Sequence, residues 1–327
     1  MRRTLALELV HATESAAIAA ARRMGRGEEQ ATFLAAFEAM HAALAAARIP
    51  GHVVVGPAEA DVPHELELGG DRDGANDAEG DGRVELTAIP LEGTGACAAG
   101  DPNALSVVVA TGAGATRRVP AVYMDKIAVR PGAVGVVDIT APPAENLNRI
   151  AKALGTRVAE LTVAILDRPR HRDLIRKVRE CGARIRLIKD GDVSAALATL
   201  IPSSGIDVLL GIGGALQGMI AATALRCGGG DIQARFLAAD AEERAAIEAA
   251  GFGGPETILT PDSFSTGDAI VAATGVTLGD ALRGVRLSGG RAVTHSMVVR
   301  GETGTLRFIE SHVRLDAFDQ SREAGRS

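Results

Sequence analysis

The sequence has 327 residues, a length that at roughly 150 residues per domain favours two domains or one large one. Asp and Glu number 41 against 35 Lys and Arg, so the formal net charge is −6, which argues against a dedicated nucleic-acid-binding protein. Hydrophobic residues make up 46% and aromatic residues 2% of the chain, which excludes global disorder and predicts an aliphatic core.

Two helices are predicted at the start of the chain, over residues 4–24 and 29–47, because apolar residues recur there at helical spacing. A short strand is predicted at 52–55. Residues 56–83 hold nine acidic side chains against two arginines and are interpreted as a solvated loop. Alternating or β-branched runs predict further strands at 84–89, 106–110 and 126–129.

From about residue 160 the pattern changes to strand, polar turn and helix, repeated three times. The predicted strands are 161–166, 184–188 and 208–210, and such alternation predicts a mostly parallel sheet in an α/β fold. Residues 292–299 and 304–309 are predicted to form a hairpin. We therefore expect an N-terminal α+β domain over 1–159 and a C-terminal α/β domain over 160–327.

No export signal or membrane span is expected from the sequence. Glu8, His11 and Glu14 interrupt the apolar run after the N-terminal arginines. The uncharged stretch 208–225 contains several glycines and is better explained by a strand, a glycine turn and a helix. We therefore expect a cytoplasmic protein with no membrane and no nucleic-acid partner.

Each of the three strands after residue 160 is followed by a distinctive polar or glycine-rich cluster. Individually, an aspartate can cap a helix, arginines can be solvated, and glycines can serve a tight turn. Because the carboxyl ends of parallel strands meet at one edge of a sheet, the clusters together predict a site for a phosphorylated small molecule. Leu216 stands where a dinucleotide-binding glycine pattern would need its third glycine. The clusters are Arg168 with Arg170, Asp190 with Asp192, and Gly211 with Gly213 and Gly214.

The most specific local sequence is Ile89-Pro90-Leu91-Glu92-Gly93-Thr94. Together with further matches in the same order, it makes the chain resemble the class II fructose-1,6-bisphosphatases, within the lithium-sensitive sugar and inositol phosphatase superfamily, over nearly its whole length. The resemblance implies a layered αβαβα sandwich and a role in carbohydrate metabolism, such as gluconeogenesis. The further matches are Thr13-Glu14-Ser15, Gly25-Arg26-Gly27, Tyr123-Met124 with Lys126, Arg168-Pro169-Arg170-His171, Asp190-Gly191-Asp192, Gly211-Ile212-Gly213-Gly214 and Ala273-Thr274-Gly275.

The resemblance also implies which residues contact a sugar bisphosphate. Glu92 and Thr94 would additionally be catalytic, and Arg168 stands where relatives usually carry lysine. The implied contacts are Glu92, Gly93, Thr94, Tyr123, Arg168, Pro169, Arg170, Asp190, Gly191, Asp192 and Gly214.

The sequence departs from the family at the positions that bind Mg or Mn. Relatives carry Asp, Glu, Asp, Glu and Glu where this chain has Phe33, Pro57, Ile89, Glu92 and Gln217, so only Glu92 is retained as a metal ligand. Hard divalent cations require oxygen ligands and charge compensation, which Phe, Pro and Ile do not supply. Metal-assisted hydrolysis depends on those ions, and no cofactor is therefore expected.

Our leading hypothesis is a homologue that binds a sugar phosphate but has lost the two-metal phosphatase chemistry. It would act as a homo-oligomer or pair with an active paralogue. The alternative is an active sugar-bisphosphate phosphatase, a phosphoric monoester hydrolase that holds Mg or Mn with relocated carboxylates. The third and weakest is a metal-independent enzyme such as an isomerase, for which His171 would be the base, although a histidine beside two arginines is better interpreted as an anion contact. The carboxylates available for relocation are Glu29, Glu59, Asp61, Glu85 and Glu92.

Overall fold

The computed structural model describes residues 4–47, 49, 51–55, 65–68, 84–316 and 318–319. Their helices are α1 (Leu5–Ala21), α2 (Glu29–Ala46), α3 (Thr94–Ala99), α4 (Pro143–Leu154), α5 (Arg172–Glu180), α6 (Asp192–Thr199), α7 (Ala215–Gly228), α8 (Ala241–Ala249) and α9 (Pro261–Phe264). The strands are β1 (Gly51–Val55), β2 (Glu65–Leu68), β3 (Val84–Glu92), β4 (Leu105–Gly112), β5 (Tyr123–Val129), β6 (Thr162–Leu166), β7 (Arg184–Ile188), β8 (Val208–Gly214), β9 (Asp231–Leu237), β10 (Ala269–Gly275), β11 (Arg286–Ser288), β12 (Arg291–Arg300) and β13 (Thr305–Arg314).

The chain divides into two units whose boundaries differ from those expected from the sequence. Unit 1 comprises Met1–Thr116 and Gly267–Ser327, and unit 2 comprises Arg117–Thr266. The expected boundary at residue 160 followed the change in local pattern. The chain instead returns to its first unit after residue 266, because β10 pairs with β4.

Unit 1 is built on an eight-stranded sheet with the order β11-β12-β10-β4-β3-β1-β2, and β13 pairs with β12. Neighbouring strands are antiparallel except β1 and β3, which are parallel. Its core joins side chains of α1 and α2 to side chains of the sheet and is mostly aliphatic, as the composition predicts. The helices form because apolar residues recur on the buried side, such as Leu9, Ala16 and Met40.

Unit 2 contains a five-stranded sheet with the order β7-β6-β8-β5-β9. β6 is parallel to β7 and to β8, whereas β5 is antiparallel to both β8 and β9. The α/β class is confirmed, but the prediction of a mostly parallel sheet is confirmed only in part. In this unit the strands joined through helices share one direction, since parallel strands need such long crossover connections. β5, which precedes that repeat, runs the opposite way between two of them.

Most predicted elements are confirmed, with two corrections. The helices at 4–24 and 29–47 and the hairpin at 292–309 correspond to α1, α2 and the β12–β13 pair. The prediction of a continuous loop over 56–83 is wrong, because β2 lies within this segment and pairs with β1. The other residues of the segment lie outside the described part. The glycine turn predicted after residue 210 is also wrong, because β8 continues to Gly214. In the described part of the chain, every helix is too short or too polar to cross a membrane.

Candidate functional site

In unit 2, the predicted substrate contacts lie at one end of the sheet. Residues 168–170 follow β6, residues 190–192 follow β7, and Gly214 ends β8. Tyr123 begins β5 and pairs with Gly214, so the reversed direction of β5 brings its first residue to the end where its neighbours finish. This is the end of an α/β sheet at which ligands bind.

A buried ion pair lies beneath this end of the sheet. Lys126 and Asp192 are only 2% and 5% exposed, and Nζ of Lys126 donates a hydrogen bond to Oδ2 of Asp192 at 2.6 Å. The same ammonium donates to the carbonyl oxygen of Gly214 at 3.2 Å. A charge that is removed from water requires such a partner, so Asp192 is fixed by Lys126. In the sequence, Lys126 is recognisable only as a match to the family motif, because a partner 66 residues away leaves no local signal.

One alternative from the sequence was that Asp192 caps α6, and the structure shows that it does not. Gly191 occupies the N-cap position in the left-handed conformation, with φ of 86°, and Asp192 is the first helical residue. The neighbouring Asp190 accepts a hydrogen bond from the amide of Gly191 at 3.1 Å. Gly191 is therefore required by the backbone, and it lets the chain turn from β7 into α6.

Two glycines of β8 are required by side chains that pack against the strand, not by a turn. A Cβ atom at Gly213 would lie 2.0 Å from Oδ2 of Asp192 and 2.8 Å from Nζ of Lys126. Gly211 has φ of +126°, and a Cβ atom there would lie 2.9 Å from Nε2 of His171. The glycines thus leave room for the ion pair and for the histidine.

His171 connects two of the segments that form this site. Its ring is buried, Nδ1 lies 2.7 Å from the carbonyl oxygen of Leu166, and Nε2 accepts a hydrogen bond from the amide of Ile212 at 2.8 Å. The neutral tautomer with its proton on Nδ1 satisfies both bonds. Burial lowers the pKa of His171, the bond to Leu166 opposes this effect, and Arg170 lowers the pKa further. Both ring nitrogens are thus engaged, which corrects the interpretation of His171 as an anion contact or a base.

Arg170 and Tyr123 form the exposed part of the site. The guanidinium carbon of Arg170 lies 5.1 Å from the centroid of the Tyr123 ring, and Nη2 donates to the carbonyl oxygen of Ile212 at 3.0 Å. Tyr123 is 54% exposed and Arg170 is also exposed. A guanidinium stacked in this way remains able to bind phosphate oxygens with its free N–H groups. Arg168, two residues before Arg170, is half-buried.

In unit 1, the predicted contacts lie where β3 turns into α3. Glu92 ends the strand and is 4% exposed, and Gly93 adopts the left-handed conformation with φ of 79° at the N-cap of α3. Thr94 is buried, and its hydroxyl donates to the carbonyl oxygen of Leu91 at 3.3 Å. Glu29 lies beside this helix, because a Cβ atom at Gly95 would be 3.4 Å from its Oε1.

The residues at the expected metal positions do not fit a divalent cation. Phe33 and Ile89 are 8% and 6% exposed, and Phe33 belongs to the core of unit 1. Buried apolar walls offer neither oxygen ligands nor negative charge. Gln217, in unit 2, is half-buried and supplies only a neutral amide. Pro57 lies outside the described residues, as do Glu59 and Asp61.

The remaining candidate carboxylates form no recognisable metal cluster. Glu85 accepts a hydrogen bond from the amide of Thr116 at 3.3 Å. In the part of the chain that the structure describes, no group of three or more His, Cys, Asp or Glu residues is arranged to hold a metal ion.

Comparison with known proteins identifies the family. Residues 3–313 match the family described as bacterial fructose-1,6-bisphosphatase, glpX-encoded. Fructose-1,6-bisphosphatase 1 class 2 of Escherichia coli (strain K12) is 38% identical over 98% of both chains. The class 2 fructose-1,6-bisphosphatases of Escherichia coli O6:H1 and Shigella flexneri show the same identity and coverage. The chain therefore belongs to the class II fructose-1,6-bisphosphatase family.

Proposed function

We propose that this protein binds a sugar bisphosphate and has lost the two-metal phosphatase chemistry of its family. The observation that carries the proposal is the buried apolar character of Phe33 and Ile89 at two positions where relatives carry acidic metal ligands. A divalent ion neutralises phosphoryl charge and activates water, and each contribution lowers the barrier by several kcal/mol. Without carboxylates at these positions the chain lacks the means to hold the ions.

Retention of ligand binding is supported by the groups at the end of the unit 2 sheet. Arg170 offers a guanidinium over Tyr123, and Arg168 lies two residues before it. Guanidinium groups match phosphate oxygens in shape and charge. The protein would then act as a sugar-phosphate-binding or regulatory member of the family, either as a homo-oligomer or together with an active paralogue.

A second candidate is an active, metal-dependent sugar-bisphosphate phosphatase with relocated ligands. Membership of a family of phosphatases along nearly the whole chain favours it, as does the position of Glu29 against α3, directly after Glu92 and Gly93. In this candidate Glu29 and Glu92 would hold one Mg or Mn, with further oxygen ligands from Glu59 and Asp61.

Phosphate release separates the two candidates. Wild type and Glu92→Gln are assayed on a panel of sugar bisphosphates with Mg and Mn varied, and ligand binding is measured by calorimetric titration in parallel. We expect no metal-dependent release by either protein, whereas fructose 1,6-bisphosphate still binds to wild type. Mn-dependent release by wild type that is abolished in Glu92→Gln overturns the proposal and establishes the second candidate.

Glu29→Lys provides a further test, because the resemblance to the family implies a lysine at this position, where this chain has Glu29. If Glu29 is a relocated ligand, this change abolishes Mn-dependent release. If our proposal holds, there is no release to lose, and the affinity for the sugar bisphosphate changes little or improves, since a negative charge of the protein is replaced by a positive one.

A further inference from the structure

We infer that Lys126 is a positioning residue for the sugar-phosphate site: it holds Asp192 and Gly214 in their binding arrangement and neutralises Asp192 toward a phosphorylated ligand. The inference rests on the proposed function, because it concerns the same site. Lys126 itself contacts no ligand. It acts through Asp192 and Gly214, which are predicted to contact one.

Lys126 connects separate parts of unit 2. Lys126 lies on β5, Asp192 begins α6, and Gly214 ends β8, so a single ammonium ties together three separate elements. Its hydrogen bonds are 2.6 Å to the carboxylate and 3.2 Å to the carbonyl oxygen. Groups that bind a ligand need such support, since their own geometry is only as defined as the contacts beneath them.

Lys126 also compensates the charge of Asp192. A carboxylate at a phosphate site repels the ligand, and the repulsion is strong because a buried charge is poorly screened by water. The ammonium of Lys126, 2.6 Å from Asp192, cancels that charge. Asp192 can then present its second oxygen to a hydroxyl group without excluding the phosphates of the same ligand.

Glycines leave space for the side chains around Lys126. The absence of a Cβ atom at Gly213 leaves room for both members of the ion pair. At Gly218, a Cβ atom would lie 2.4 Å from Sδ of Met124 and 3.8 Å from Nζ of Lys126. Glycines on two different elements thus accommodate the side chains around the ammonium. A surface lysine that happened to meet an aspartate would need no such accommodation.

The test is calorimetric titration of fructose 1,6-bisphosphate into wild type, Lys126→Gln, Asp192→Asn and the double variant. We expect Lys126→Gln to bind roughly 30-fold more weakly or worse, as is typical when one member of a buried charged pair is truncated. Removing the uncompensated charge should restore part of the loss, so the double variant binds more tightly than Lys126→Gln. It should still bind about fivefold more weakly than Asp192→Asn, because Gly214 lacks its donor.

Arg130→Gln is the matched control. Arg130 follows the other end of β5 and pairs with Asp207 at 3.0 Å. The Arg130→Gln substitution therefore also removes a cation from an aspartate, but away from the proposed site. Circular dichroism at the titration temperature establishes that each protein is folded. If Lys126→Gln does not fold, the comparison of the double variant with Asp192→Asn remains decisive, since the double variant carries no charge at this position and Asp192→Asn keeps the ammonium with Gly214 as its acceptor.

The outcomes separate the inference from the proposed function. Wild type that binds no sugar phosphate overturns both. The inference alone is overturned if wild type binds and Lys126→Gln binds as tightly as wild type. It is also overturned if the double variant binds as tightly as Asp192→Asn. Loss in Lys126→Gln with no recovery in the double variant overturns the charge-neutralising role.

Discussion

Gly213→Ala tests whether β8 is glycine-rich because of the ion pair beside it. The new Cβ atom would lie 2.0 Å from Oδ2 of Asp192, and contacts of such an atom are essentially never below 3.0 Å. The carboxylate would thus have to retreat by about 1 Å, which disrupts its bond to Lys126 unless β8 itself moves. Removing one partner of a buried pair destabilises a protein by about 3–5 kcal/mol. Because both partners remain here and can partly readjust, we expect the free energy of unfolding to fall by about 2–4 kcal/mol.

The assay is urea unfolding followed by circular dichroism, with Gly254→Ala as the control. Gly254 lies in the same unit, has no heavy atom within 4 Å of an added Cβ and does not adopt a positive φ. A methyl group there should change stability by no more than about 1 kcal/mol, with a stabilising sign favoured by the reduced freedom of the unfolded chain. If the two variants are equally stable, the strand tolerates a side chain at Gly213 and the reasoning from steric exclusion is refuted.

Three further predictions concern other parts of the two units. Burial lowers the pKa of His171, so the unfolded state takes up the proton of this residue at a higher pH than the folded state does. The free energy of unfolding should therefore fall as the pH drops below about 6.5, and it should fall less steeply with pH in His171→Gln. An equal pH dependence in the two proteins contradicts this account. Phe33→Ala should cost about 3 kcal/mol in urea unfolding and Leu34→Ala, 38% exposed on the same helix, much less; similar values would mean that Phe33 is not a core residue. Tyr123→Leu removes the ring under Arg170 and should weaken calorimetric binding of fructose 1,6-bisphosphate about two- to fivefold, whereas an unchanged affinity would show that the stacking has no part in binding.

Local patterns in the sequence were sufficient for most of the helices and strands. α1, α2 and the β12–β13 hairpin follow from apolar spacing and short polar connections, which act over a few residues. The family, too, could be identified from ordered motifs, because residues such as Glu92, Gly93 and Thr94 remain consecutive whatever the fold does. The clustering of Arg170, Asp192 and Gly214 at one end of a sheet was predictable as well, since it depends on strand direction within a repeated unit.

The tertiary structure alone decided features that join distant residues. The direction of β5, the return of the chain to unit 1 after residue 266 and the pairing of β2 with β1 depend on partners that local sequence does not specify. The glycines of β8 are typical of a turn in the sequence. Their actual cause is not visible there, because the side chains that exclude a Cβ atom at Gly213 come from β5 and α6. Burial of Lys126 is likewise invisible in sequence, since a lysine is favourable inside a protein only when the fold brings a carboxylate to it.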